Sequence, residues 1–279
     1  MSYEVISNSR ATLGEGISIR PDKSVISWVD ITSNKVHWKN LKTEKEGSLA
    51  SFIFPSCTFS DKDFGVYISH SGGIDWVDYN FENRVNCTTW FPSDIGIRCN
   101  DGKMDAAGNI WISTMSISHL KNQGSIWFWD RKSKPTLVLD NLTVPNSISI
   151  DSSRNRVYFA DSHEGAIYYG NLSTKRNSIN SIQEFYRSNQ GIPDGSTLDE
   201  KGNLWNARWD GSAILKLRPS GVIDLEITTP FERPTSCVFG IDSNEVYVTS
   251  ACKEGDSLGG HTIKLNLENK YLDRIPISI

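Results

Sequence analysis

The sequence predicts an all-β fold: a six-bladed β-propeller with four antiparallel strands in each blade, formed as a single domain over residues 1–279. Three observations predict it: a short strand that recurs six times, a second strand that follows each copy, and polar turns between strands. Repeats of about 40–50 residues that consist only of strands are typical of propeller blades.

The first repeated element is a short run of β-branched and aromatic residues, which have high strand propensity. Its second residue falls at positions 27, 67, 111, 158, 205 and 247, so the unit recurs every 40–47 residues. The six copies are Ile26–Asp30, Val66–His70, Ile110–Thr114, Val157–Asp161, Leu204–Arg208 and Val246–Ser250.

A second strand follows each first one, and tight turns precede several of the copies. Asp, Gly and Asn in these turns supply side-chain hydrogen bonds and positive φ angles, which hairpins require. The second strands are Lys35–Trp38, Gly73–Trp76, Ser125–Phe128, Ala166–Tyr169, Ala213–Lys216 and Thr262–Leu265. The turns are Asp105–Asn109, Asp151–Asn155 and Asp199–Asn203.

The repeat divides the chain into six predicted blades. Their limits are 10–49, 50–93, 94–140, 141–187, 188–229 and 230–275. Residues 3–8 are expected to pair with the final blade and close the ring, because closure removes two exposed sheet edges.

Composition excludes several classes of partner. The net charge is −4 and no basic block occurs, which excludes nucleic acid and an anionic membrane surface as predicted partners. No apolar run approaches the roughly 18–20 residues of a membrane span, and the first residues lack the features of a signal peptide. The five cysteines are widely spaced, without a Cys-x-x-Cys pair, as expected for reduced thiols. We therefore expect a cytoplasmic protein, monomeric or weakly homo-oligomeric.

Polar side chains lie ahead of the repeated strands in predicted blades 1, 3, 4 and 5. Because propeller blades converge on a central channel, these side chains are expected to share one small volume. Two carboxylates and an amide oxygen suit Ca²⁺, Mg²⁺ or Mn²⁺, and Zn²⁺ suits the set less well because no His or Cys occupies these positions. The segments are Leu13–Ile17, Arg98–Asp105, Val144–Ile148 and Gly191–Ser196.

These segments carry a family resemblance. The chain resembles the SMP-30/gluconolactonase/LRE family, the regucalcin-like lactonases, along essentially its whole length. Six strings in the same order carry the resemblance: Trp28–Ile31, Arg98–Lys103, Gly108–Met115, Val157–Ser162, Gly191–Gly195 and Val246–Ala251.

The resemblance implies roles for five residues. Glu15, Asn146 and Asp194 are predicted to bind one divalent metal ion. General metal-ion catalysis, rather than the resemblance, predicts a second role for Asp194, which is to accept a proton from the attacking water. Arg98 and Asn100 match the substrate-binding residues of the family. Taken without the resemblance, the same residues are also compatible with turn formers, a solvated carboxylate and a structural ion pair.

Three departures from the family pattern bear on the substrate. Where some members carry an acidic residue that touches substrate, this chain has Ser116–Leu120, so His119 is predicted to bind substrate instead. Cys99 replaces the usual Pro, and Ser147 stands where Gly often follows the metal-binding Asn. These departures therefore bear on substrate specificity relative to gluconolactonases rather than on the predicted chemistry.

The predicted activity is metal-dependent hydrolysis of a sugar lactone to the aldonic acid, as the resemblance implies. One alternative is a calcium-dependent phosphotriesterase or aryl-esterase of the same fold. Another is a calcium-binding regulatory protein or an interaction scaffold without enzyme activity. A serine nucleophile has little support, because no Gly-x-Ser-x-Gly elbow is present.

Overall fold

A computed structural model describes residues 2–62, 65–89, 96–173, 178–240, 242 and 244–268. The described residues form 24 strands in six four-stranded sheets, and none of them lies in a helix. Accordingly, the described ranges contain no helix that is long and apolar enough to cross a membrane.

Each sheet is one blade, with its strands ordered from the centre outwards. The first contains β2 (Gly14–Ile19), β3 (Val25–Asp30), β4 (Lys35–Asn40) and β5 (Glu46–Leu49). The second contains β6 (Cys57–Ser60), β7 (Gly65–His70), β8 (Gly73–Asp78) and β9 (Arg84–Thr88). The third contains β10 (Ile97–Met104), β11 (Ile110–Ser116), β12 (Gly124–Trp129) and β13 (Thr136–Leu142).

The other three blades follow the same order. The fourth contains β14 (Pro145–Asp151), β15 (Arg156–Asp161), β16 (Ala166–Leu172) and β17 (Ile179–Arg187). The fifth contains β18 (Ile192–Leu198), β19 (Leu204–Trp209), β20 (Ala213–Leu217) and β21 (Ile223–Thr228). The sixth contains β22 (Pro234–Phe239), β23 (Glu245–Ser250), β24 (Ile263–Asn266) and β1 (Ser2–Val5).

The ring is closed by the N-terminal strand. β1 pairs antiparallel with β24, from Ser2 opposite Asn266 to Val5 opposite Ile263. Each innermost strand packs against those of its two neighbours, and β22 of the last blade packs against β2 of the first. The predicted six-bladed, all-antiparallel propeller is therefore confirmed, whereas the assignment of the whole chain to a single domain stays a prediction.

The apolar core lies between blades. Six clusters of buried side chains are each shared by two adjacent blades. Between blades 6 and 1, for example, Tyr247 of β23 packs with Ile17, Ile26 and Trp28. Sheet faces buried in this way fix the position of every innermost strand and leave the channel ends free for polar side chains.

The polar turns have a further role in the blades. Asp105 accepts hydrogen bonds from the backbone N–H of Ala107 and Asn109 at 2.9 and 3.0 Å, and from Trp111 Nε1 at 3.3 Å. Asp199 accepts the corresponding bond from Trp205 Nε1 at 3.1 Å. The Asp of these two turns thus anchors the aromatic residue of the strand that follows.

The repeated strands found in the sequence are the second strands of the blades. In every blade a further strand precedes them on the channel side, and in blades 1, 3, 4 and 5 it contains most of the polar segments. Glu15, Arg98, Asn100, Asn146 and Asp194 therefore lie within innermost strands, whereas His119 follows β11.

Candidate functional site

The innermost strands carry β-bulges near one mouth of the channel. In a bulge, two residues of one strand lie opposite a single residue of the neighbouring strand, which changes the direction of the side chains around it. Five strands have such a register shift, between Glu15 and Ser18, Cys99 and Gly102, Asn146 and Ser149, Pro193 and Ser196, and Pro234 and Cys237. The fully described β6 pairs with β7 without a shift and carries no predicted site residue.

The bulges bring the predicted site residues together. A cavity of about 320 Å³ opens at this mouth of the channel. All six predicted site residues line it: Glu15, Arg98, Asn100, His119, Asn146 and Asp194. The structure thus gathers residues from four blades around one space, although their functional roles stay predictions.

A chain of hydrogen bonds orders the amide side chains. Arg98 Nη1 donates to Asn100 Oδ1 at 2.8 Å and to the carbonyl of Cys99 at 2.9 Å. Asn100 Nδ2 donates to Asn146 Oδ1 and to the carbonyl of Pro145, both at 3.1 Å. Asn146 Nδ2 in turn donates to Ser162 Oγ at 3.0 Å. Both side-chain groups of Asn100 therefore have partners within the protein.

The carboxyl groups in and beneath the cavity are crowded. Withdrawal from water raises the pKa of Glu15 well above its ordinary value, and the nearby carboxyls of Asp194 and Asp101 raise it further. Burial and Asp101 raise the pKa of Asp194 in the same way. The guanidinium of Arg98 lowers both pKa values but does not offset these effects. Arg98 compensates the acidic groups only in part, and a bound cation would favour their ionised forms.

The donor set fits a hard divalent cation. Two carboxylates, Glu15 and Asp194, and the amide of Asn146 offer oxygen atoms, the ligands that Ca²⁺ and Mg²⁺ prefer. In the described part of the chain no group of three or more His, Cys, Asp or Glu side chains is placed to hold a metal ion. The predicted metal site has three ligands because it includes the amide oxygen of Asn146, and hard cations accept amide oxygens as ligands.

Backbone conformation explains one departure from the family pattern. Gly16, which follows Glu15, has φ +54°, and Ser147, which follows Asn146, has φ +60°. This left-handed region favours glycine, so a glycine at either position relieves strain. In this chain Ser147 Oγ lies 2.6 Å from Ser196 Oγ of the next blade, and that hydrogen bond helps to hold the strained residue in place.

Two aspartates hold the segments that enter the cavity. Asp30, at the end of β3, accepts hydrogen bonds from the N–H of Thr12 at 2.8 Å and of Leu13 at 3.1 Å. Asp161, at the end of β15, accepts them from Thr143 at 2.8 Å and Val144 at 3.0 Å. Asp30 of the Trp-Val-Asp string therefore positions the chain just before Glu15, and Asp161 of the Phe-Ala-Asp string positions the chain just before Asn146.

Arg208, which does not line the cavity, supports the segment that leads into Asp194, and the sequence interpretation did not single it out. It is fully buried in β19, and its guanidinium donates to the carbonyls of Gln190 and Gly191 at 3.0 and 2.8 Å and to Asn206 Oδ1 at 3.1 Å. Asn206 Nδ2 donates to the carbonyl of Asp194 at 2.8 Å. Burial lowers the pKa of Arg208 to about 10. An Arg in the strand that follows the Pro-Asp-Gly segment was the signal available in the sequence.

The rim of the cavity combines histidines and apolar side chains. His119 and His163 are exposed there, and Trp209 lies at the edge with the guanidinium carbon of Arg233 at 4.7 Å from its ring centre. Leu13, Met115, Val144, Ile192 and Pro193 also line the cavity. Among the rim residues, the sequence singled out His119 as a substrate contact.

Fold and cavity together define a six-bladed propeller with an oxygen-lined site at one channel mouth. The sequence profile of the SMP-30/gluconolactonase/LRE-like region matches residues 13–252, which include all six predicted site residues. The chain belongs to this family, and the resemblance drawn from the sequence motifs is confirmed.

Known proteins similar to the chain include enzymes and a calcium-binding protein. The chain is 27% identical over 269 residues to a pentonolactonase of Haloferax volcanii, covering 93% of this chain and 89% of the relative. It is 25% identical over 235 residues to a 6-deoxy-6-sulfogluconolactonase of Pseudomonas putida, covering 82% and 80% of the two chains. The solved structure of a calcium-binding protein, regucalcin, from Agrobacterium tumefaciens matches with a TM-score of 0.88 at 24% identity, covering 96% and 94%. That structural likeness bears on the fold alone.

Proposed function

We propose that the protein is a divalent-metal-dependent hydrolase that opens a sugar lactone to the aldonic acid. The observation that supports this most is the convergence of Glu15, Asn146, Asp194 and Arg98 on one cavity of about 320 Å³. The names of two relatives, a pentonolactonase and a 6-deoxy-6-sulfogluconolactonase, support the same class of substrate.

Glu15, Asn146 and Asp194 would hold the ion, with Ca²⁺, Mg²⁺ or Mn²⁺ favoured over Zn²⁺. When bound, such an ion polarises an ester carbonyl and makes water more acidic. Asp194 would accept the proton of the attacking water. Arg98 would bind an oxygen of the substrate, because its guanidinium lines the cavity beside the ligands, whereas Asn100 would keep Arg98 and Asn146 in place.

The main alternative to an enzyme is a calcium-binding protein or an interaction scaffold without catalytic activity. An ion site alone does not need a cavity of this volume with a guanidinium donor beside the ligands. A phosphotriesterase or aryl-esterase would use the same ligands, so substrate tests must separate it from a lactonase. All five cysteines are free thiols, which fits the proposed cytoplasmic location.

The test is a panel of aldonolactones, simple lactones, aryl esters and a phosphotriester, followed with a pH indicator. Metal-stripped protein is assayed alone and after addition of Ca²⁺, Mg²⁺, Mn²⁺ or Zn²⁺. The proposal predicts lactone opening that depends on the added ion. Turnover of the aryl esters or phosphotriester alone, or no turnover of any substrate, would contradict it.

A further inference from the structure

The cavity wall has two layers of different chemistry. Ile192 and Asp194 lie two apart in β18, and residues two apart in a strand project from the same face. Leu13 and Val144 stand just before β2 and β14. Two residues before each predicted metal ligand stands an apolar side chain: Leu13 before Glu15, Val144 before Asn146 and Ile192 before Asp194. Both members of every pair line the cavity. We call Leu13, Val144 and Ile192 the apolar collar.

The collar lies nearer the mouth than the ligands. Asp194 and Asn146 are buried, whereas Ile192 is 40% exposed and Val144 is half-buried; in the third pair Leu13 and Glu15 are both half-buried. In β10 the corresponding position, two residues before Asn100, is Arg98. A molecule whose reacting group reaches the ligands therefore has its body among three aliphatic side chains and one guanidinium.

Neighbouring side chains extend the apolar character of this layer. Met115 lies opposite Arg98 and Trp209 lies opposite Ile192 in their ladders, and both line the cavity. The remaining polar groups near the mouth are Ser162 and the exposed imidazoles of His119 and His163. Ser162 Oγ already donates to the carbonyl of Pro193 at 2.6 Å.

This layering bears on which lactone fits. A hydroxyl turned towards Leu13, Val144 or Ile192 loses water and meets no donor or acceptor on these side chains, which disfavours binding. An alkyl or unsubstituted carbon at the same place gains apolar contact. Arg98 is the charged donor of the layer, so an oxygen substituent on that side is accommodated.

We propose that the preferred substrates are lactones with an alkyl or deoxy face towards the apolar collar and a hydrogen-bond acceptor on the side of Arg98. This rests on the proposed lactonase function and narrows its substrate class. Fully hydroxylated aldonolactones are then poorer substrates than deoxy sugar lactones of the same ring size, which keep hydroxyls for Arg98.

The experiment compares D-glucono-δ-lactone with its 2-, 3-, 4- and 6-deoxy derivatives, each of which lacks one hydroxyl and keeps the others for Arg98. Each kcat/KM is divided by the hydroxide-catalysed rate constant of the same lactone, which removes differences in intrinsic reactivity. We expect the corrected value to be about 10-fold or more higher for at least one deoxy derivative. A value for D-glucono-δ-lactone that equals or exceeds that of every deoxy derivative would overturn the proposal.

A variant pair tests whether the collar causes the preference. Ile192→Thr puts a hydroxyl in the collar and is expected to lower the preference for the favoured deoxy lactone about 10-fold. Ile223→Thr is the matched control, since Ile223 is 43% exposed on β21 of the same blade and does not line the cavity. An unchanged preference in Ile192→Thr, or an equal loss in both variants, would overturn the role of the collar.

Failure of the proposed lactonase function can be distinguished from failure of the proposed role of the apolar collar. If no lactone is opened, calorimetry with D-gluconolactam and its 2-, 3-, 4- and 6-deoxy derivatives measures binding in the cavity alone. Tighter binding of a deoxy lactam than of D-gluconolactam supports the apolar collar as the specificity element. Binding of D-gluconolactam that is as tight as that of every deoxy lactam, or tighter, would overturn it.

Discussion

The two mouths of the central channel are formed by the same innermost strands but differ in chemistry. At one mouth the strands bulge and present Glu15, Asn146 and Asp194 with Arg98. At the other, a space of about 170 Å³ is lined by the hydroxyls of Ser18, Thr58, Ser60, Thr197 and Ser236 together with Lys103.

Charge balance separates the two mouths. Ser18 Oγ lies 2.9 Å from both Thr58 Oγ1 and Ser60 Oγ, so these neutral groups satisfy one another. The carboxyls of Glu15 and Asp194 have raised pKa values because they are withdrawn from water and crowded by acidic neighbours. Ser18, Thr58 and Ser60 at the second mouth thus have partners within the protein, whereas the carboxyls at the first mouth are the groups that the proposed cation would neutralise. We therefore propose the chemistry at the bulged end.

The largest expected effect is at Asp194. Asp194→Asn keeps the shape of the side chain but removes the proton acceptor, so kcat for a lactone should fall roughly 10²–10⁴-fold. Circular dichroism should show an unchanged fold. Asp140→Asn, which alters an exposed carboxylate of β13, is the control and should keep full activity. Full activity in Asp194→Asn would remove this residue from the mechanism.

A smaller loss is expected from Arg208, which acts through the backbone next to Asp194. Arg208→Met leaves the carbonyls of Gln190 and Gly191 without their donor, so we expect a loss of about 10–100-fold in metal affinity or activity. Arg208→Lys should recover part of it. The readout is the Ca²⁺ dissociation constant beside urea unfolding. A loss of stability with unchanged Ca²⁺ affinity would show that Arg208 is structural only.

Substitution of Arg98 tests how the bulged mouth would bind the proposed substrate. Arg98→Ala should raise KM about 10-fold for a lactone with an oxygen substituent and change kcat less, because its contacts are made equally in the ground and transition states. An unsubstituted lactone offers Arg98 no such group, so its KM should change little. Equal losses on both substrates would assign Arg98 to catalysis or structure instead.

The smallest effect is expected at the opposite mouth. Ser60→Ala removes one hydroxyl partner of Ser18 and should lower the free energy of unfolding by about 1 kcal/mol. Lactone kinetics should equal those of the wild type. A fall in kcat/KM comparable with that of Arg98→Ala would show that the second mouth takes part in the reaction.

Sequence alone predicted the propeller well because the second and third strands of each blade repeat in type and spacing. The innermost strands escaped the repeat search, since bulges such as that between Glu15 and Ser18 break the two-residue alternation. Their small polar residues also resemble turns in sequence. The number of blades was therefore predictable, but the position of the site residues within strands was not.

The site was predicted in part. The motifs named Glu15, Asn146 and Asp194, and the structure places all three at one cavity. Arg208 and Ile192 were missed because the roles proposed for them depend on cross-strand register and on which side chains share a face of an innermost strand. A sequence pattern without an assigned innermost strand does not contain that information.

The central claim is that the bulged mouth holds one divalent cation, and calorimetric titration of Ca²⁺ into metal-stripped protein tests it most directly. The account predicts one site per chain in the wild type and in Asp140→Ala. It predicts no stoichiometric binding in Asp194→Ala, with the fold retained by circular dichroism. Unchanged Ca²⁺ affinity in Asp194→Ala would contradict the account.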